Sequence, residues 1–348
     1  MREGTNDVKR PASLLVNLLV LTLSLAISVI GGEAAIRWFY RDLTTTADFH
    51  GYFTQRWLRS AVRHNHYGFR GPEFSEIKPA GVYRVAVLGD SFAYGNGVAE
   101  QDRFSDRLET ALEPRHIQVL NFGFPGNNWP ENVTTLERRV LRLKPDFVLL
   151  QWGTNDIEFE TAAAPRPTIT PLAVNRELHE WLYAHSALYS MVNGEWTQFR
   201  LRRHMGDSYE EYVRRLYGDP NSEGSRKADE WAQRFFDDCR REHVAMAVVM
   251  FPHFGDTLAD YPLEFLHVRM REACDRARVA YIDLLDRYRQ VHHPRTLWAS
   301  PLDQHPNALA NRIAADEILA VLAPTWGYPA GEGTVPASIE AAPRPPVH

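Results

Sequence analysis

The chain has only two cysteines in 348 residues, Cys239 and Cys274. So few cysteines exclude a disulfide-dense scaffold, and neither residue has the paired spacing of a zinc site. Both fall in helix-like patterns, which leaves two readings open: a pair of buried thiols or, outside the cytoplasm, one disulfide. The pairs His64/His66 and His292/His293 lack companion Cys, Asp or Glu residues at ligand spacing, so no metal is expected. Positive charge is not in excess either. With 39 Lys and Arg against 44 Asp and Glu, the net charge is −5, which excludes the basic footprint of a nucleic-acid partner. Two glycine motifs are also missing. Gly95-Asn96-Gly97 lacks the further glycine or Lys-Ser/Thr of a phosphate loop, and no Gly-x-Ser-x-Gly elbow occurs anywhere.

Charge of either sign is absent from Pro11 to Gly32. The centre of that stretch, Leu14 to Ile30, reads LLVNLLVLTLSLAISVI and predicts one helix across a bilayer. Arg2, Lys9 and Arg10 precede it, favouring a cytoplasmic segment at 1–12 despite Glu3 and Asp7, and an anchor at 13–40. Trp38-Phe39-Tyr40 reads as the interfacial aromatic belt. The rest of the chain is then expected outside the cytoplasm, in a periplasm or at a cell surface. A cleaved signal peptide is the alternative, although no clear Ala-x-Ala site follows the apolar run.

What remains has the composition of a soluble globular domain, 44% hydrophobic and 24% charged. After an aromatic-rich lead-in at 41–79, strand-like apolar runs recur at Tyr83 to Leu88, Ile117 to Leu120, Phe147 to Trp152, Val244 to Phe251 and Val279 to Ile282. Helical periods separate them at Asp102 to Leu112, Glu131 to Leu143, Asn175 to Glu242 and Leu263 to Arg278, and the last helix is Ala308 to Leu322. Continuous apolar strands alternating with helices predict an α/β domain at 80–326, built on a doubly wound, flavodoxin-like sheet of five parallel strands. The ninety or so residues between the third and fourth strands exceed what one crossover needs, so a helical insertion is expected at about 158–224. The tail at 327–348, rich in Pro, Gly and Ala, reads as disordered.

In such a sheet, chemistry gathers where strands end at their carboxyl edge. Gly89-Asp90-Ser91 follows the first apolar run, and a serine there is placed to act as a nucleophile. The tripeptide alone carries little weight, because the chain holds a decoy at Gly206-Asp207-Ser208 with no strand before it, which reads as a loop or helix cap. Other strand ends supply partners. Gly123 lies in Asn121-Phe122-Gly123-Phe124-Pro125-Gly126 after the second, Asn155 in Gly153-Thr154-Asn155-Asp156 after the third, and Asp303-Gln304-His305 in a polar loop after the fifth. A hydroxyl, an imidazole and donors for an oxyanion are the parts acyl transfer needs.

At these residues, from about Asn65 to Leu322, the chain resembles the SGNH subgroup of GDSL hydrolases. The lead-in Asn65-His66-Tyr67-Gly68-Phe69-Arg70-Gly71 and the anchor resemble membrane-attached bacterial members. The resemblance implies Ser91 as nucleophile, His305 as general base and then acid, and Asp303 as the carboxylate that orients the imidazole. It implies an oxyanion hole from the backbone N–H groups of Ser91 and Gly123 and the Asn155 amide. The acid commonly sits three residues before the histidine in that family, whereas Asp303 precedes His305 by two, so a backbone carbonyl or Asp283 remains an alternative partner. His253, after the fourth strand, is expected to face the same cleft, as a substrate contact or second base. Asp90 and Asp156 are expected to brace their turns through backbone hydrogen bonds.

The chemistry needs no cofactor. The leading expectation is an extracytoplasmic serine esterase removing acetyl or another short acyl group from a small molecule or glycan of the cell envelope. An O-acyltransferase using the same residues, and a membrane-anchored non-catalytic scaffold on the same fold, are the alternatives.

Overall fold

The computed structural model describes residues 11–41, 50–157, 175–205, 209–255, 257–301 and 303–326. The decoy at 206–208, the segments 1–10 and 158–174 and the tail at 327–348 lie outside the described residues. Five strands, β1 (Tyr83–Leu88), β2 (Ile117–Asn121), β3 (Phe147–Trp152), β4 (Ala245–Met250) and β5 (Ala280–Asp283), form one sheet in the order β2-β1-β3-β4-β5. Every pairing is parallel, so the expected doubly wound sheet is the one observed. The central strands are mostly apolar, with Arg84 in β1 and Gln151 in β3 as exceptions, because helices cover both their faces. Val85, Val87, Leu149 and Val248 are completely buried, and each such side chain contributes about 1.5–3 kcal/mol.

One helical row is α4 (Phe104–Leu112) against α12 (Ala308–Leu322), and the other is α5 (Trp129–Thr135), α9 (Glu223–Arg241) and α10 (Glu264–Ala277). The helix predicted over Glu131 to Leu143 begins at Trp129 and changes character, passing through a π turn at Leu136–Val140 and a tight 3-10 turn at Leu141–Leu143. Cys239 and Cys274 are buried as free thiols on α9 and α10, so the reading as a disulfide does not hold.

Before the sheet come α1 (Pro11–Phe39) and α2 (Tyr52–Ala61), with α3 (Ser91–Tyr94) following β1. Among the described residues one helix is long and apolar enough to cross a membrane, over Leu15–Phe39. The region expected as an insertion is helical where described, with α6 (Arg176–His185), α7 (Ala187–Met205) and α8 (Tyr209–Tyr217). After β5 come α11 (Leu285–Arg289) and an antiparallel pair, β6 (Trp298–Ser300) with β7 (Asp303–Pro306).

Candidate active site

The turn after β1 is built around a buried amide. Gln151 points out of β3, and its Oε1 accepts the N–H groups of Asp90 and Ala93 at 3.1 Å each. Gly89 crosses this oxygen with φ of +153°. A Cβ there would lie 2.3 Å from Gln151 Oε1 and 2.9 Å from its backbone oxygen, so only glycine fits. Asp90 then caps α3, its carboxylate accepting the Phe92 N–H at 2.8 Å. Ser91 is thereby held as the first residue of α3, and among the described residues its N–H has no hydrogen-bond acceptor.

The segment expected as a polar loop is strand β7, because it pairs with β6 through Ser300 and Asp303. Residues two apart on a strand face the same side, so Asp303 and His305 meet. His305 Nδ1 lies 2.5 Å from Asp303 Oδ1 and His305 Nε2 lies 2.9 Å from Ser91 Oγ. The same Asp303 oxygen accepts the His305 backbone N–H at 3.1 Å. Phe92 packs edge-on to the imidazole at 5.5 Å between ring centres. Asn307 caps α12 by accepting the Leu309 and Ala310 N–H groups, which fixes the chain just beyond the histidine. The alternative partner Asp283 is engaged elsewhere, on His267 Nδ1 at 2.8 Å and Arg271 at 3.3 Å.

Electrostatics follow from this packing. Burial pushes His305 toward the neutral form, but the charge and hydrogen bond of Asp303, with the charge of Asp90, outweigh it and raise its pKa above the ordinary histidine value. Burial lowers the pKa of His253, which Glu210 opposes and the nearby His305 reinforces. The His253 ring packs at a tilt against Tyr209 of α8, 4.9 Å between centres, and the His253 backbone N–H donates to the Tyr261 hydroxyl at 2.7 Å. Tyr209 of α8 thus lies against His253, just beyond the end of β4.

The remaining expected residues fall differently. The Gly123 N–H donates to Asn121 Oδ1 at 2.8 Å, so it is not an open donor in this arrangement. A Cβ on Gly123 would lie 2.6 Å from both Ala93 Cβ and Tyr94 N, and this glycine therefore lets the second loop close on α3. Gly126, three residues on, has φ of +81°, open space around it and no acceptor for its N–H among the described residues. Asn155 is the second residue of the turn Thr154–Ile157, but its side chain lies outside the described residues. Asp156 braces that turn by accepting the Gly153 N–H at 2.6 Å and the Asn132 amide at 3.1 Å.

Three contributors escape sequence reasoning. Gln151 holds the turn that carries Ser91; its signal is a polar residue inside an otherwise apolar strand. Asn96 brings its Nδ2 to 3.4 Å from His305 Nε2, and nothing in the sequence marks it. Arg70, in the lead-in, is fully buried and donates to the carbonyls of Ala61, Tyr94, Gly95 and Val98. Burial, then the neighbouring Arg103, lower its pKa to about 10, so it remains a cation at neutral pH while it ties the loop after α3 to the lead-in.

The sequence pattern of the GDSL-like lipase/acylhydrolase family matches residues 87–313. The chain belongs to that family. Its members of SGNH/GDSL type hydrolyse esters with a serine, and this protein is an enzyme of that kind. No curated protein matches the chain. Among solved structures it is similar to TesA, at 12% identity over 69% of this chain and 98% of that one, with a TM-score of 0.43. It is similar also to the acetylxylan esterase Axe2 from Geobacillus stearothermophilus, at 13% identity over 73% and 97% with a TM-score of 0.44. The acetyl xylan esterase AlAXEase is 15% identical over 69% and 99%, with a TM-score of 0.44.

Proposed function

We propose that the protein is an extracytoplasmic serine esterase that removes acetyl or a similarly short acyl group from a carbohydrate or other cell-envelope component. Ser91 is the nucleophile, His305 the base and Asp303 the orienting carboxylate. The observation that carries the reading is the continuous chain from Asp303 Oδ1 through His305 to Ser91 Oγ, at 2.5 and 2.9 Å.

In the first step Ser91 Oγ attacks the acyl carbonyl while its proton passes to His305 Nε2. Asp303 holds the Nδ1 proton and stabilises the imidazolium. The oxyanion is met by the free Ser91 N–H and by the Asn155 amide, with the open Gly126 N–H taking the place first assigned to Gly123. One such donor is worth about 3 kcal/mol in the transition state. The imidazolium then protonates the departing sugar oxygen, the ester C–O bond breaks, and an acyl-serine remains. Water, deprotonated by His305, releases the acid and restores Ser91. The extracytoplasmic location rests on the apolar α1 with Arg2, Lys9 and Arg10 before it. The carbohydrate substrate rests on that location.

A fluorophosphonate probe applied to the chain and to Ser91→Ala tests the mechanism, alongside hydrolysis of an activated acetyl ester. Labelling and hydrolysis are expected to vanish together in the variant. Labelling that persists in Ser91→Ala overturns the assignment. Acetyl recovered only on an added glycan, never as free acetate, replaces the esterase by an acyltransferase.

A further inference from the structure

We infer that the outer face of α6 and α7 rests on the bilayer surface that α1 crosses, so that the enzyme is held by a lipid-facing platform as well as by a stalk. This rests on the reading of α1 as a retained anchor.

The platform begins on the anchor itself. Glu33 accepts hydrogen bonds from Ser186 Oγ and from the Ala187 and Leu188 N–H groups at 2.8–2.9 Å, which caps the start of α7. Arg37, one turn on, donates to the His185 carbonyl at the end of α6 at 2.7 Å. A Cβ on Gly32 would touch the Leu188 side chain at 3.6 Å. From Pro11 to Ile30 the helix covers about 30 Å, the thickness of the hydrocarbon layer. Glu33 is then about 4.5 Å beyond that layer, and the α6–α7 junction is fixed at headgroup height.

From the junction an apolar stripe runs outward. Leu188, Val192, Trp196, Phe199 and Arg203 are spaced by four, four, three and four residues and share one face of α7. Val192 and Phe199 are 50% and 48% exposed, and Leu178 and Trp181 on α6 are 51% and 58% exposed. Trp181 stacks on His185, the residue whose carbonyl Arg37 grips. Trp38 and Phe39 at the end of α1 are also exposed. Arg200 stacks over Trp196 at 5.7 Å, and Arg203 is exposed at the far end. Glu195 lies beside the stripe and is the acidic residue on that side of α7. On α7, aromatic and aliphatic side chains flanked by arginines are the pattern of a helix lying in an anionic interface; on α6, Glu177 and Glu180 lie beside Leu178 and Trp181, and Glu180 pairs with Arg176. Continuity with the anchor assigns the face to lipid. The platform also bears on the cleft, because α8 follows α7 and presents Tyr209 to His253.

The test uses the full chain in lipid nanodiscs of equal parts phosphatidylcholine and phosphatidylglycerol, with one added cysteine per variant carrying an environment-sensitive fluorophore. Cys239 and Cys274 stay unlabelled, since burial hides them and pushes both thiols up to about 12. The variants are Leu178→Cys and Phe199→Cys on the platform, Leu21→Cys on the anchor and Ile77→Cys on the distant lead-in, all at exposed positions; ester hydrolysis reports that each is folded. Blue-shifted emission and loss of signal to a lipid-borne quencher are expected at 178, 199 and 21 but not at 77. Labels at 178 and 199 that behave like the one at 77, with 21 quenched, overturn the platform and leave the anchor standing. A label at 21 that escapes quenching overturns the anchor reading beneath it. Shielding at 178 and 199 that grows with protein concentration and ignores the quencher assigns the face to a second copy and overturns the proposal.

Discussion

Asp303→Asn isolates what the carboxylate does. One oxygen, Asp303 Oδ1, accepts both the His305 backbone N–H and Nδ1. An amide carbonyl in its place retains both contacts, so the substitution removes charge while preserving the tautomer. A unit charge about 4 Å from the imidazolium, at an effective dielectric near 20, is worth about 4 kcal/mol, which corresponds to a fall in kcat of roughly a thousandfold. The pH dependence changes as well. Only neutral His305 acts as base, so kcat/KM rises with pH through a pKa lying above the ordinary histidine value. With the carboxylate gone, only the charge of Asp90 opposes burial, and the neutral form persists to lower pH. The acidic limb therefore moves toward acid while the plateau drops, and Asp303→Ala, which also frees the ring, falls further than Asp303→Asn. Steady-state hydrolysis of an acetyl ester in a pH-stat measures both effects. A plateau within a few-fold of the parent and an unmoved limb would refute the role given to Asp303.

Gly89→Ala must push a methyl into Gln151 Oε1 and the β3 backbone, and is expected to cost about 3 kcal/mol while dislodging Ser91; a thermal melt within a degree of the parent, with full probe labelling, contradicts this. Arg70→Met leaves carbonyls of the loop after α3 without their buried donor, and denaturant titration is expected to show a loss of about 1–3 kcal/mol for each acceptor left unsatisfied. Less than about 1 kcal/mol would make Arg70 a surface-like residue. His253→Gln is expected to raise KM for a glycan ester with kcat nearly unchanged and the acidic limb in place. A collapse of kcat would instead make His253 the base.

The frame of the fold was legible because its strands are buried on both faces. Tyr83–Leu88 and Phe147–Trp152 read as continuous apolar runs with turn residues at their ends, and the sheet has them there. Helix α12 was legible at both ends, since Asn307 caps it and Leu322 closes its apolar period. The π turn after α5 was not. A helix that widens by one residue per turn retains nearly the same apolar spacing, so Leu136, Val140 and Leu143 read as an unbroken helix. Strand β7 was hidden for a different reason. Its pairing to β6 joins residues already adjacent in a loop, and Asp303-Gln304-His305-Pro306 has no strand propensity of its own.

At the candidate site, the sequence marks side chains more readily than backbone donors. Ser91 and His305, which the structure brings to 2.9 Å, stand out in sequence because few residue types suit the roles proposed for them, and position after a strand narrows the choice. An oxyanion donor is an N–H, which every residue but proline possesses, so its availability depends on what the neighbouring side chain accepts. Gly123 illustrates this: the glycine is required by the 2.6 Å approach to Ala93, yet its N–H is taken by Asn121, whose amide also donates to Ala93 O and Ser105 Oγ at 2.7 Å each. Three bonds on one asparagine hold that carbonyl in place, and freeing the Gly123 N–H would break an arrangement that also carries α3. The oxyanion donor proposed for this loop therefore lies further along, at Gly126, which has a positive φ and open space around it.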